Sequence, residues 1–450
     1  MAILLISHRN YAIVHSTMTK KPLKTSLWVA STYFAEGLPY MIVRFMSSVF
    51  FTDIGVREAL LGFINFLGIP WNLKFLWAPF LDIFGTKRGW MLKIQFLITI
   101  FVFVIAILAG LHKNSNPGTI LYIMAFVFVG LAFIAATNDI SIDAYYLEGL
   151  TDKEDQAAYS GLRVMAYRIA VVYARSFLIA VAGLASWFWG FAAGAITMLA
   201  LLILHKFMLP KFEKDVIANE VKQSHGIASS ASGLLAMTSK KFIESFASYL
   251  KQEKVALVLI FIATYKLGDE ILFSMNTPFL MRELGVTKTQ LAWLAGFVGS
   301  FAAVAGAMLG AYWIKSMTLK KAIWPITIFM NINILAYLVL SEGRPSPATT
   351  AGITLIAAVH AYENIAAGLG TAALMVYLMR LCSPNFKAAH FAIGSAIMSL
   401  GSTLIGGFGG IIVEKFGYTN LFILGFCATI PAMLLLFFIP MHENNKTTSS

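Results

Sequence analysis

The sequence predicts an all-α membrane protein of twelve transmembrane helices in two six-helix bundles. Three observations predict it. Of 450 residues, 58% are hydrophobic and 12% charged, whereas a soluble domain carries roughly 25% charged residues; the mean hydropathy is +0.76. The apolar runs are helical in length, about 20 residues each, and not the alternating segments of about 10 that mark a β-barrel. They split six and six around one long polar segment, 210–253.

The predicted spans are 25–51, 57–82, 88–111, 119–146, 156–183 and 186–209, then 254–282, 287–314, 320–341, 349–378, 387–412 and 418–440. This divides the chain into a tail (1–24), a first bundle (25–209), a central loop (210–253), a second bundle (254–440) and a second tail (441–450). With an even count, and counting the span ends with the loops they adjoin, 21 Lys and Arg fall on the side of the termini and 6 on the opposite side, so the positive-inside rule places both termini in the cytoplasm. That asymmetry accounts for the net charge of +12 without nucleic acid. "ILLI" at residues 3–6 is too short for a secretory signal core, and "MTKKPLKTSLW" reads as a natural cytoplasmic start, so Met18 is the expected initiator. Cys382 and Cys427 have neither metal-ligand spacing nor a disulfide framework and read as packing residues.

Span 1 carries Glu36 and Arg44 and is interrupted by "EGLPY", with Gly37 and Pro39. Span 2 carries Lys74 and is interrupted by "GIPW", with Pro70. Interrupted helices near the midplane are where transporter sites are built. Lys93 in span 3 reads as a snorkelling side chain. Span 4 poses the sharpest question: the lipid-like "ILYIMAFVFVGLAFIAA" runs straight into "TNDISIDAYY", with Asp139 and Asp143 one turn apart on one face. A carboxylate at mid-bilayer costs about 2.5–3.5 kcal/mol, so the pair is either outside the membrane or used inside it. In span 5, Arg163 is shallow, while Arg168 and Arg175 share a stripe. Span 7 brings Lys266, Asp269 and Glu270 to one face, and span 10 does so with His360, Glu363 and Asn364.

Six acids (Glu36, Asp139, Asp143, Asp269, Glu270, Glu363) thus stand against five bases (Arg44, Lys74, Arg168, Arg175, Lys266). Facing lipid, the eleven would cost about 30 kcal/mol at about 3 each. They therefore face a watery cavity or one another, and the near balance predicts pairing. Structural salt bridges are the plainer reading of each acid; Asp143 reads equally as a gate or a helix-end ion pair, and His360 as a satisfied interior histidine. The glycines of "AAGLG" and "GSTLIGGFGG" are close-packing positions; no strand precedes them, so they are not a nucleotide fingerprint. The central loop, charged and then Ser/Ala/Gly-rich, reads as a linker, and "HENNKTTSS" as a disordered tail.

The halves look duplicated. "TYF" at 32–34 and "TYK" at 264–266 are offset by 232, and "DIFGTKR" at 82–88 and "KSMTLKK" at 315–321 by 233. "LDIFGTKRG" resembles the loop 2–3 motif of the major facilitator superfamily, which implies a conformational gate at Asp82, Lys87 and Arg88. Several segments go further. "YFAEGLPY", "GIPWNLKFLWAPFLD", "KRGWMLKIQ", "AATNDISIDAY", "YKLGDEI", "YENIAAGLGTAALMVYLMRLC" and "AAHFAIGSAIMSLG" together resemble the AmpG-type muropeptide permease family over about residues 26–438. "KFLWAP" is also similar to the eukaryotic acetyl-CoA transporters.

The resemblance implies a non-enzymatic, proton-coupled symporter of the bacterial inner membrane. It would import anhydromuropeptides (anionic glycopeptides from the cell wall) as a monomer, with the proton gradient and no cofactor. It implies proton coupling at Asp139, Glu36, Asp269, Glu363 or Asp143. Carboxylate binding would fall to Arg44, Lys74, Arg168, Arg175 and Lys266, stacking on sugars to Tyr33, Tyr40, Trp71 and Tyr265, and polar contacts to Asn138 and Asn364. One departure is "TND" at 137–139, where the family usually has Gln before the Asp. Alternatives are transport of another anionic metabolite such as an acyl-CoA, and a membrane-embedded transferase, for which no catalytic constellation is evident. A sensor would need a larger folded module than 210–253 supplies.

Overall fold

The computed structural model describes residues 23–112, 117–212, 244, 246–383 and 386–441. Met18, most of the central loop and the tail after 441 lie outside the described residues, as does the side chain of Asp82. The described residues form α1 (23–53), α2 (58–83), α3 (Lys87–Leu111), α4 (Pro117–Gly149), α5 (153–184), α6 (Trp187–Met208), α7 (255–283), α8 (288–317), α9 (Leu319–Gly343), α10 (Thr350–Arg380), α11 (387–416) and α12 (418–435), with no strand among them. Gly417, at φ 81°, makes the turn between the last two, a conformation that costs glycine no Cβ clash. Among the described residues, eight helical stretches are long and apolar enough to cross a membrane by length and composition. α10 is interrupted in polarity by His360, Glu363 and Asn364, and α7 in its backbone at Tyr265–Lys266.

The interruptions fall partly where the sequence puts them. α2 alternates between α and 3-10 turns on either side of Pro70. In α1, however, the helix runs straight through Gly37 and Pro39 and instead opens into a π-helical turn at Ile42–Met46. Gly37 serves close packing: a Cβ there would lie 3.1 Å from Tyr167 and Ala170 of α5. Further π turns lie at Tyr173–Leu178 in α5, Phe279–Glu283 in α7 and Leu294–Val298 in α8. Such turns often mark functional positions, and three of the four carry an arginine: Arg44, Arg175 and Arg282.

The way the cores are arranged positions the site. At the end that carries the α1–α2 and α7–α8 turns, one continuous apolar core crosses from the first half (Val49, Phe50, Phe128, Phe191) to the second (Met275, Phe279, Leu280, Phe422). At the end that carries the α2–α3 and α8–α9 turns, the halves keep separate cores, around Trp28, Tyr145 and Tyr146 in one and Phe261, Tyr265 and Tyr377 in the other. The closed end is also tied by charge. Arg282 of α7 donates to Glu58 of α2 at 2.7 Å and to the Thr52 carbonyl at 2.7 and 3.0 Å. Lys288 of α8 pairs with Asp53 of α1 at 2.7 Å, and Arg57 with Glu414 of α11. Between these ties α2 and α11 touch backbone to backbone, since a Cβ on Gly410 would stand 1.9 Å from the Glu58 carbonyl oxygen.

Candidate functional site

Three groups of polar residues lie between and within the halves. The first joins α1, α2, α4 and α5. Lys74 Nζ of α2 pairs with Asp139 Oδ2 of α4. One turn on, Asp143 Oδ1 accepts from Tyr33 at 2.8 Å and from Arg163 Nη2 at 3.0 Å. The Arg163 guanidinium lies over the Tyr33 and Tyr146 rings, 4.4 and 4.9 Å from their centroids. Glu36 interacts electrostatically with Asp139, Asp143 and Lys74, and its Oε2 is buried without a hydrogen-bond partner. The group therefore holds three carboxylates against two bases.

The second group lies in α7, α9 and α10. Glu363 is fully buried. Its Oε1 accepts from Asn276 Nδ2 at 2.6 Å, and its Oε2 accepts from the Tyr337 hydroxyl and lies 3.1 Å from His360 Nδ1. Beside it Lys266 Nζ lies 3.3 Å from Asp269, 3.8 Å from Glu270 and 3.2 Å from Thr371 Oγ1.

The third feature is a cavity between the halves, in two adjoining lobes of about 390 and 260 Å³. Arg44, Tyr40, Lys266, Glu270 and Thr371 line both. The larger also takes Arg168, Arg175, His360 and Asn364, the smaller Trp71, Asn72, Ser399, Ser402 and Thr403. Two of its three arginines are delivered by the irregular turns. Arg44 leaves the α1 π turn to donate to the Asn65 carbonyl at 2.5 Å, and Gly68 leaves room for its guanidinium 3.1 Å from where a Cβ would stand. Arg175 leaves the α5 π turn with its guanidinium 5.0 Å over the Phe45 ring and its Nε buried and unpartnered. Among the described residues, none of Arg44, Arg168 and Arg175 has a carboxylate within ion-pair distance.

These positions divide the sequence-derived candidates. Arg44, Arg168, Arg175, Lys266, Tyr40, Trp71 and Asn364 line the cavity. Lys74 does not: it is held by Asp139, so it belongs to the carboxylate group rather than to the cavity wall. Tyr33, Tyr265 and Asn138 do not line the cavity either: all three are buried in helix packing. Tyr33 is held by Asp143, Tyr265 by Thr327 at 3.2 Å, and Asn138 by the Ala35 carbonyl at 3.0 Å. The motif residues Lys87 and Arg88 bond within their own half: Lys87 to the Leu81 carbonyl at 2.8 Å, Arg88 to the carbonyls of Lys206 and Leu209 at 2.7 and 3.2 Å. Sequence reasoning missed Tyr337 and Asn276, whose only signal is a polar residue inside an apolar run. It also missed the tie residues Asp53, Glu58, Arg282 and Lys288, which sit at span ends and pass for interfacial anchors.

Comparison with known proteins gives concordant results. The Major Facilitator Superfamily profile matches residues 256–450. The anhydromuropeptide permease of Escherichia coli K12 is 26% identical over 411 residues, covering 90% of this chain and 77% of that one. The Rickettsia felis chain designated AmpG 4 is 26% identical over 420 residues, covering 91% and 95%. Among solved structures, a bacterial homologue of the human lysosomal transporter Spinster, inward-facing and unoccupied, superposes with a TM-score of 0.65 at 14% identity, covering 93% of this chain and 97% of that one.

Proposed function

We propose that the chain is a transporter of the major facilitator superfamily, in the AmpG-type group it resembles, and that it imports anhydromuropeptides into the cytoplasm, driven by protons. The observation that carries the substrate class is the cavity's three unpaired arginines. A guanidinium between two bundles is tolerated when something anionic is to be held there, and its planar fork suits carboxylates. Tyr40 and Trp71 supply aromatic surface for a saccharide beside them. A glycopeptide with free carboxylates needs both.

Proton coupling falls to the Asp139 group. Its three carboxylates exceed Lys74 and Arg163 by one negative charge, and one proton restores neutrality. A proton on Asp139 weakens its hold on Lys74 and so loosens α2 from α4. Because α2 is also the helix that closes against α11, protonation bears on which end is open. The ties at the α1–α2 end support reading this as the cytoplasm-open state, with both termini in the cytoplasm. Alternating access then follows as a shift between two populations that proton and substrate bias together. The protein acts as a monomer with no cofactor beyond the gradient.

The test is uptake of radiolabelled anhydromuropeptide into vesicles bearing the protein, at acidic and neutral outside pH, with and without an uncoupler. Accumulation that collapses with uncoupler is the expected result. No uptake by a folded preparation would move the substrate to another anionic metabolite.

A further inference from the structure

The two lobes of the cavity differ in chemistry, and that difference orients the ligand. The smaller lobe is neutral apart from the charged residues at its junction with the larger. Tyr40 and Trp71 meet edge to face at 4.9 Å and 89°, and Asn72, Ser402 and Thr403 supply amide and hydroxyl groups beside them. Asn72 donates to Thr403 Oγ1 at 3.0 Å and to the Ser399 carbonyl at 3.3 Å, so this lobe lies across the seam between α2 and α11. Aromatic faces with neutral hydrogen-bonding groups suit a saccharide and offer nothing specific to an anion.

The larger lobe is the reverse. Arg168 is exposed and lines it, and Arg175 presents a guanidinium whose Nε has no partner. Glu270, the one carboxylate among the described residues that line the cavity, lies 3.8 Å from Lys266, which leaves the arginine end electropositive. Placing the anionic peptide in the smaller lobe would leave these guanidinia unneutralised in a confined space. Placing it in the larger one pairs them.

We propose that the ligand binds in a single orientation, its saccharide in the Tyr40–Trp71 lobe and its peptide carboxylates on Arg168 and Arg175, with Arg44 at the junction. This rests on the muropeptide reading above. It makes Arg168 and Arg175 readers of the peptide and Trp71 a reader of the sugar.

The test is equilibrium binding to the purified full-length protein with two probes. One is an anhydro-disaccharide whose lactyl carboxyl is capped as a methylamide, and so is neutral. The other is the same disaccharide bearing a tripeptide with free carboxylates. Arg168→Gln should weaken the tripeptide probe about tenfold, or about 1.4 kcal/mol, and leave the neutral probe unchanged. Arg168→Lys should restore part of the loss. Trp71→Ala should weaken both probes by the same factor, and added salt only the tripeptide probe. Arg168 is exposed, so its replacement leaves the fold intact; Arg175→Gln is read only where the variant keeps the wild-type melting midpoint. Equal weakening of both probes by Arg168→Gln would overturn the orientation. A wild-type protein that binds neither probe overturns the muropeptide reading itself, whereas one that binds both while the variants fail to sort them overturns the orientation alone.

Discussion

Arg282 is the strongest tie across the closed end, and removing it should open that end measurably. Its guanidinium makes an ion pair with Glu58 and three hydrogen bonds to carbonyls, two to Thr52 and one to Phe51 at 3.3 Å. The two side chains are only 22% and 27% exposed. Truncating one partner of such a hydrogen-bonded charge pair costs about 2–5 kcal/mol when buried; the partial exposure here argues for about 2–3. That shifts the equilibrium toward the state open at this end about 30- to 150-fold. Arg57 is the internal control: it too crosses the seam, but its side chain is 74% exposed, and exposed pairs contribute about 0–1 kcal/mol. Spin labels at Ser186→Cys and Ala348→Cys, exposed positions on opposite halves of this end, read the result by electron-electron distance measurement after Cys382 and Cys427 are replaced. Arg282→Ala should add a longer-distance population that Arg57→Ala does not. An unchanged distance distribution in Arg282→Ala would show that the apolar core and the α2–α11 contact close this end without the charges.

Three further outcomes are expected. Asp139→Asn should abolish accumulation against a gradient while leaving counterflow exchange; full retention of accumulation would place the coupling elsewhere. Lys74→Met strands Asp139 without its partner and, with the Lys74 side chain 34% exposed, should lower stability by about 2–3 kcal/mol, whereas Lys74→Met with Asp139→Asn should regain most of it; simple additivity in thermal melts would mean that the pair is not coupled. Gly410→Val puts a side chain where the Glu58 carbonyl stands and should lengthen the distance between the same spin labels, which an unchanged distribution would contradict.

Much of the fold was legible because its signals are local. Each span is a run of apolar residues in one stretch of chain, and helical spacing brought Lys266 to Asp269 and Glu270 without any tertiary knowledge. The near balance of acids and bases suggested pairing, but only two of the five bases, Lys74 and Lys266, lie within ion-pair distance of a carboxylate among the described residues. Which bases pair was not legible. Lys74 meets Asp139 across 65 positions of sequence, and nothing local distinguishes it from Arg44, whose guanidinium ends on backbone carbonyls instead. Nor does spacing fix which way a polar stripe points: Asn138 and Asp139 are adjacent, yet one clamps α1 and the other meets Lys74. The ties at the closed end were invisible for a related reason, since charges at span ends are expected in any membrane protein and only the approach of the two halves pairs them.

The four functional features meet on one helix. α2 carries Glu58, which holds the gate tie; Gly62, which touches α11; Trp71 and Asn72, which line the smaller lobe; and Lys74, which holds Asp139. Its backbone is the least regular of the twelve, with 3-10 turns at Ile64–Gly68 and Lys74–Leu76. Lys74 and Glu58 are sixteen residues apart, about 24 Å along a helix, far beyond ion-pair distance. On this reading a proton at Asp139 reaches the gate by moving α2 as a body, and the same movement reshapes the lobe that holds the saccharide. This makes a demanding prediction for Asp139→Asn, which mimics the protonated state. Beyond its loss of accumulation, it should lengthen the Ser186–Ala348 label distance although neither label nor any gate residue has been touched. If Asp139→Asn abolishes coupled uptake and the distance distribution stays that of the parent, coupling does not run through α2, and the tie between Lys74 and Asp139 is a brace rather than a lever.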